Sequence, residues 1–377
     1  VLGKVVGSDG SVIAGAKGTT LFVVPKILPD GRRNDVAVAG LNHKMGYRGT
    51  PNCLLNFGEA GGAVGWKIGA EGEGLRIMFQ MMNEARVNVG LSGAALAYRG
   101  FELSRRYASE RIQGRSVLDK TADEPVRLNR HPDVRRMLLA QKAIAEGSLA
   151  LCLKGAMLAD LASHGADESI RKNAHDLLSL LTPVVKTWPS ESALTALNQA
   201  IQIHGGYGYT RDFDVEQLYR DARLNPIHEG TTGIQAIDLL GRKILFEDGK
   251  SFDLLLSEIR RDAHGGDAFE EEAATLSGLC DWFETLVRGE LALGRKGVAL
   301  ANASGFLDAF GHFVTGWIWL GMARAAAATN DRVMAEQKAW TCRYYFAAEV
   351  PKIKGLVSLL VSSPDLLPTV PEGVVSP

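Results

Sequence analysis

The chain has 377 residues, 42 basic against 43 acidic side chains and 46% hydrophobic content, enough for two or three domains that each bury a core. The charge balance lacks the basic excess of a nucleic-acid binder. No apolar run reaches 18 residues, since the best candidate, residues 317–328, is short and interrupted by Arg324, so no membrane span is expected.

Residues 1–70 are rich in glycine, valine and turn signals. The run 20–24 reads as a strand closed by Pro25, residues 29–31 as a turn, and residues 52–57 as a second short strand. Val1 starts in what reads as β-structure in mid-flow, with no signal-peptide pattern behind it, so a piece of a longer protein is expected. The strands are too few for a self-sufficient β domain.

From about Gly74 helix formers dominate. Residues 75–111 predict one long helix, in which Gly90, Gly93 and Gly100 each cost about 1 kcal/mol relative to alanine and so imply close packing. A charged loop over 119–130 follows, and Pro132 opens a helix towards residue 162. Further helices are predicted over 169–181, 191–204 and 232–246. Residues 247–250 read as a linker to a second helical unit with helices over 252–262, 269–288, 293–328 and 333–360. From residue 261 onward that unit carries 14 acidic against 10 basic residues.

Cys53, Cys152, Cys280 and Cys342 form no C-x-x-C pair, which predicts reduced thiols of a cytoplasmic protein and no disulfide framework. The eight histidines form no metal-ligand cluster, so no metal site is expected.

The most informative segment is residues 227–235. Thr232 and Gln235 have capping-box spacing, which predicts a helix starting at Thr232 with Ile234, Ile237, Leu240 and Ile244 on its apolar face. Glu229 then sits beside free backbone N–H groups at the positive end of the helix dipole, a good place for a base next to a carbonyl oxygen that gains negative charge. His228 is adjacent, but neighbouring side chains on extended backbone point apart. Gly205 and Gly206 end a helix. They read either as a helix stop or as a place where backbone approaches a flat or phosphorylated ligand. Arg111 at a helix end reads either as dipole compensation or as a pyrophosphate grip. The run 219–223 reads as a structural ion network.

The ordered phrases Lys44-Met45-Gly46-Tyr47-Arg48-Gly49-Thr50, Gln202-x-x-Gly205-Gly206-x-Gly208, Arg220-Asp221-Ala222-Arg223 and Glu229-Gly230-Thr231 resemble the successive signatures of the acyl-CoA dehydrogenases. The resemblance covers residues 1–246, and with the added C-terminal helices it points to that family's long bacterial branch. It implies an α+β, mainly α fold: the end of a middle β domain over 1–70, a helical FAD and acyl-CoA domain over 71–246, and an additional helical domain over 250–377.

By the same resemblance Glu229 is the base that takes the α-proton of an acyl-CoA thioester while FAD accepts a hydride from the β-carbon. Arg111 and Gln113 reach the FAD of a neighbouring subunit. Gln202, Gly205 and Gly206 lie against its adenosine half, Thr231, Thr232 and Gly233 against the flavin, and Asn83, Arg86 and Gly230 against acyl-CoA. The product is a 2-enoyl-CoA, with 3-methylmercaptopropionyl-CoA as one candidate substrate, an electron-transfer flavoprotein as acceptor, and a homodimer or tetramer as assembly. Gln113 is followed directly by Gly114 where the family usually has one more residue, and Asn83 stands where many members have aspartate. Two other outcomes are a flavoprotein relative acting in DNA protection after alkylation, which needs a basic surface, and an inactive helical fragment.

Overall fold

The computed structural model describes residues 1–118, 124–245, 249–264, 268–291 and 294–376. They fall into two compact units, Val1–Ala85 and Arg86–Pro377. The fold is α+β and mainly helical, as expected.

The first unit holds five short strands. β1 (Leu2–Lys4), β2 (Thr19–Val23) and β5 (Trp66–Ile68) form an antiparallel sheet in the order β1-β2-β5, and β3 (Val36–Leu41) pairs antiparallel with β4 (Cys53–Phe57). The expected strands at 20–24 and 52–57 are β2 and β4, whereas β3 and β5 were not anticipated. Buried Asn34 ties the loops together, donating to the Pro25 and Val64 carbonyls at 2.8 Å each and accepting from the Val64 N–H at 2.9 Å. The first turn of α1 (Gly74–Glu110) lies on β2. A Cβ on Gly74 would come within 2.6 Å of the Leu21 nitrogen, so only glycine fits.

The second unit is helical. α2 (Pro132–His164) opens with proline at its first position, as predicted. α3 (Glu168–His204) departs from expectation, because the helices foreseen over 169–181 and 191–204 are one continuous element containing Pro183 and Pro189. Proline removes one backbone donor and would normally break a helix. Here Thr182, Ser190 and Ser192 hydroxyls donate back to the Leu178, Lys186 and Trp188 carbonyls one turn earlier, and neighbouring helices bury the segment from Leu180 to Ser190. A short helix, α4 (Val215–Ala222), was not foreseen.

α5 (Thr232–Ile237) passes into a π-helical stretch, Asp238–Leu245; residue 246, the expected helix end, lies outside the described residues. The wider turn shifts the side-chain register. Leu240 and Ile244 are buried as predicted, but Ile234 and Ile237 are exposed. The linker reading over 247–250 falls partly on residues 247 and 248, which are outside the described residues, as are 119–123 of the charged loop and 293 at the start of a predicted helix.

Beyond it come α6 (Lys250–Ala263), α7 (Glu270–Thr285) with a π-helical continuation (Leu286–Leu291), α8 (Lys296–Ala301), α9 (Ala303–Ala327), α10 (Arg332–Ala348), α11 (Lys352–Leu356), α12 (Ser358–Ser362) and α13 (Glu372–Val375). The helix predicted over 293–328 is divided at Asn302, whose side chain bonds the Val298 and Pro364 carbonyls. The one predicted over 333–360 is divided near Pro351, which cannot donate to a helical ladder. No described helix is long and apolar enough to cross a membrane. α9 is mostly apolar and largely buried: Phe306, Phe310 and Phe313 meet Phe283 of α7 at ring separations of 4.8–5.9 Å. That aromatic group is continuous with Leu180, Val184, Leu239 and Phe252, so α2, α3, the π-helical stretch and the C-terminal helices share one hydrophobic core.

α1 crosses α3 at the glycines singled out in the sequence. A Cβ on Gly90 would lie 2.0 Å from the Val185 carbonyl oxygen, one on Gly93 2.8 Å from that of Pro189, and one on Gly100 2.5 Å from the Leu197 side chain. Pro189 has no N–H to offer the Val185 carbonyl, and the bare face of Gly90 fits against it. Gly90→Ala should therefore lower unfolding stability by about 1–3 kcal/mol through overpacking. Gly278→Ala in α7, where an added Cβ meets open space, should be neutral or stabilising by up to about 1 kcal/mol. Denaturant unfolding of the two variants side by side is the measurement, and equal effects would refute the close crossing.

Candidate active site

Glu229 lies on the turn between α4 and α5, and it is held in an unusual way. Its φ is 54°, one of two non-glycine residues with positive φ among those described, and the Gly230 that follows has φ 93°. For an L-residue with a long side chain the left-handed region costs on the order of 1–2 kcal/mol. The turn is held by Gln235, fully buried in α5, whose Nε2 donates to the Glu229 carbonyl at 3.0 Å. A Cβ on Gly230 would stand 2.5 Å from that nitrogen.

The predicted capping box is realised differently. The N-cap is Thr231, without a side-chain cap bond, and Thr232 is the first helical residue. The Thr232 hydroxyl donates instead to the Glu191 carboxylate of α3. Gln235 points its amide at a carbonyl, because the left-handed turn brings C=O groups, not an N–H, over the helix start. The Glu229 N–H makes no hydrogen bond among the described residues.

Behind the turn sits a charged cluster. Arg86 of α1 is buried and donates from Nη1 to Asp238 at 3.1 Å, while its Nε has no partner. Lys186 of α3 is fully buried and its Nζ has no hydrogen-bond partner. Burial pulls its ammonium down to about 8, with Glu191 and Glu229 acting to raise it and Arg86 to lower it. Beyond Glu191 opens a cavity of about 520 Å³, whose walls include Trp188, Thr232, Asp308, His312 and Glu349. Burial raises the Asp308 carboxyl to about 6 and lowers the His312 imidazole to about 4.

A second group of expected residues lies at the other end of the bundle. Gln202 is sixteen residues past Lys186, about 24 Å along α3 at 1.5 Å per residue. It is exposed, and so are Gly205 and Gly206, where an added Cβ would meet nothing within 4 Å. Gly205 ends α3 with φ 60°. Tyr107 near the end of α1 stacks on His204 at 4.4 Å, which brings the end of α1 beside these glycines. Arg111 and Gln113 follow α1 as exposed residues on a short antiparallel pairing with 126–128, made by Gln113 N–H to the Val126 carbonyl at 3.0 Å and Leu128 N–H to the Arg111 carbonyl at 2.8 Å.

The structure thus places Glu229, Gly230, Thr231, Thr232 and Gly233 on one turn, with Arg86 and Asp238 in the cluster behind it. It places Arg111, Gln113, Gln202, Gly205 and Gly206 at the far end. Asn83 is exposed and belongs to the first unit. His228 is turned away from Glu229, its Nδ1 3.0 Å from the Leu224 carbonyl. Arg220 pairs with Glu216 at 2.7 Å, one turn earlier on α4 and outside the run 219–223 read as a structural ion network. Lys186, Glu191 and the cavity were not foreseen. The available signal was a lysine as the one charged residue in the stretch 180–188.

Residues 72–245 match the acyl-CoA dehydrogenase C-terminal domain, and 255–370 match the acetyl-CoA dehydrogenase C-terminal-like domain. The chain is 38% identical over 324 residues to 3-methylmercaptopropionyl-CoA dehydrogenase of Ruegeria pomeroyi, covering 83% of this chain and 54% of that protein. Among solved structures, Caenorhabditis elegans ACDH-11 in complex with C11-CoA aligns with a TM-score of 0.78 at 20% identity, covering 96% of this chain and 60% of that one. An acyl-CoA dehydrogenase complexed with FAD from Bacillus anthracis aligns with a TM-score of 0.66 at 20% identity, over 89% of this chain and 60% of that one. The chain spans about half the length of the curated relatives it matches.

The strain at Glu229 is open to direct measurement. Glu229→Gly should be more stable than Glu229→Ala by about 1 kcal/mol, because glycine adopts the left-handed turn without penalty and this outweighs its larger unfolded-state entropy. A thermal unfolding comparison in which alanine proves the more stable would show that the turn is unstrained.

Proposed function

Because the chain belongs to the acyl-CoA dehydrogenase family, we propose that it carries the C-terminal half of the machinery for dehydrogenating an acyl-CoA to a 2-enoyl-CoA, with Glu229 as the base. The observation that supports this most is the Glu229 turn itself. A backbone strained into the left-handed region points to a geometric demand on that residue. The Glu229 carboxylate takes the proton from the carbon next to the thioester carbonyl. The thioester oxygen gains charge as the proton leaves, and the Glu229 N–H, unpaired among the described residues, is a donor fixed in advance for it. FAD, when bound, supplies the acceptor for the hydride that leaves the β-carbon.

The residues present fit such a cofactor. Gly205, Gly206 and Gly233 present backbone with no atom within 4 Å of an added Cβ, so a flat or phosphorylated group can approach closely. Thr231 and Thr232 add hydroxyls beside Gly233. We assign Thr231, Thr232 and Gly233 to the flavin and Gln202, Gly205 and Gly206 to the adenosine half. Arg111 and Gln113, at the same far end of the bundle as Gln202, Gly205 and Gly206, would together with them serve the cofactor of a neighbouring copy, since the bundle separates that end from Glu229. On this reading the working assembly is at least a dimer, and exposed Ile227, Ile234 and Ile237 beside the base are apolar surface for a ligand or partner to cover. We assign Gly230 to the acyl-CoA side, whereas Arg86, expected there too, is buried behind the turn and paired with Asp238. Electrons pass to an electron-transfer flavoprotein, and the four unbridged cysteines fit a reducing cytoplasm. The similarity to the Ruegeria pomeroyi enzyme makes 3-methylmercaptopropionyl-CoA a candidate substrate beside linear acyl-CoAs.

The test uses the FAD-loaded protein mixed anaerobically with a panel of these acyl-CoAs, with flavin bleaching followed by stopped flow. Glu229→Gln should keep its FAD and bleach about 10²–10⁴-fold more slowly, the usual contribution of a positioned base. Wild-type bleaching by that variant would remove Glu229 from the mechanism.

A further inference from the structure

We propose that the cavity beyond Glu191, enclosed by α3, α9 and α11, binds a small organic ammonium that also carries a hydroxyl or carbonyl oxygen. The proposal does not depend on Glu229 being the base. The cavity lies wholly within the second unit, and its volume of about 520 Å³ falls in the range of roughly 300–1,000 Å³ found for small-molecule sites. Its carboxylates come from three separate elements: Glu191 from α3, Asp308 from α9 and Glu349 from the turn before α11. Against these three stands one ammonium, that of Lys352.

Lys352 is committed to Glu349 at 2.6 Å. His312 stands 3.8 Å from both Asp308 and Glu349, but burial lowers its imidazole to about 4, so at neutral pH it brings no positive charge. Glu191 accepts only the uncharged Thr232 hydroxyl. Among the described residues, then, neither Glu191 nor Asp308 is paired with a lysine or arginine. The crowding is felt at Asp308, whose carboxyl is raised to about 6 by burial and by Glu191 and Glu349, with Lys352 opposing. A bound ammonium supplies the missing positive charge through charge-assisted hydrogen bonds.

A second observation is independent of charge. Thr187 and Trp188, both in the cavity wall, are only 3% and 2% exposed, yet the Thr187 hydroxyl and the Trp188 indole N–H have no hydrogen-bond partner. Buried polar groups are nearly always bonded, and an indole N–H can only donate, so the group it awaits is an acceptor such as an oxygen. The indole is held in place: Gly311 packs against its Cδ1 edge, and the His312 ring meets it edge-on at 5.7 Å. Ile144, Leu307 and Leu356 give the hydrocarbon part of an occupant an apolar wall. A metal ion does not fit, because no group of three or more His, Cys, Asp or Glu among the described residues could hold one. The phosphates of FAD and CoA would be repelled by the carboxylates, which separates this cavity from the catalytic site although Thr232, assigned above to the flavin, also lines it.

The experiment is calorimetric titration of the chain at neutral pH with 5-aminopentan-1-ol, pentane-1,5-diol and 5-hydroxypentanoate, which share a carbon chain and a hydroxyl and differ in the charge at the other end. The ammonium probe should bind with a Kd of about 1 mM or tighter, as a well-placed fragment does. The neutral and anionic probes should bind at least about tenfold more weakly, the usual cost of losing a hydrogen bond to a charged group. Asp308→Asn, an isosteric change at a partly exposed side chain, should weaken the ammonium probe by a similar factor and leave the diol unchanged. Saturation with FAD should leave the ammonium probe bound. No heat from the ammonium probe up to about 10 mM, or equal binding of the three probes, overturns the proposal on the wild-type chain alone, whether or not the asparagine variant folds. Unchanged affinity in a folded Asp308→Asn overturns it as well. Displacement of the probe by FAD overturns it too, by making the cavity part of the cofactor site.

Discussion

The contact on which the second unit depends is the crossing of α1 over α3 at Gly90. Two sequence features that are unfavourable taken singly become complementary there. Proline at 189 deprives the Val185 carbonyl of its helical partner, and glycine at 90 lets the other helix close onto it. The crossing carries Arg86 and Lys186 to the same place, one just before Gly90 on its helix and the other just after Val185 on its own. The charged cluster behind the Glu229 turn is thus a by-product of how the two longest helices meet.

The C-terminal helices contribute to this site through the core they share with α3. Gly311 of α9 packs against Trp188, where an added Cβ would stand 2.3 Å from the indole. Trp319 donates from its indole N–H to the Ala143 carbonyl of α2 at 3.1 Å. Helices after residue 250 thereby clamp the stretch of α3 that holds Lys186 and Glu191. The long, apolar α9 acts as the internal strut on which both sets of helices rest.

Much of this was legible in the sequence because it is written in local chemistry. The long first helix, the meaning of its three glycines and the proline-opened α2 all follow from residue type and spacing, which also single out the segment around Glu229, while a role for that residue came only with the family resemblance. What was not legible depends on tertiary context. Pro183 and Pro189 read as breaks, and only burial together with hydroxyls on neighbouring turns keeps α3 whole. The π-helical stretch after Ile237 breaks the 3.6-residue period, so Leu240 and Ile244 face the core while Ile234 and Ile237, which precede it, are exposed. Gln235 was recognised as a partner of the turn, but its direction was not, since that follows from a left-handed φ at Glu229 that no propensity scale anticipates for a glutamate. The pairing of Arg86 with Asp238 spans 152 positions and leaves no local trace.

The left-handed backbone at Glu229 also bears on how this position would change over evolutionary time. Folding by itself favours glycine or asparagine there, and, on the proposal that Glu229 is the base, only the chemistry of a carboxylate favours glutamate. The two pressures oppose each other at a single codon. In a lineage released from proton abstraction nothing would hold glutamate against the backbone preference, and the turn would drift to the residue it accommodates most easily. The identity of this one residue in related chains is therefore a compact record of whether selection still acts on the reaction or only on the fold.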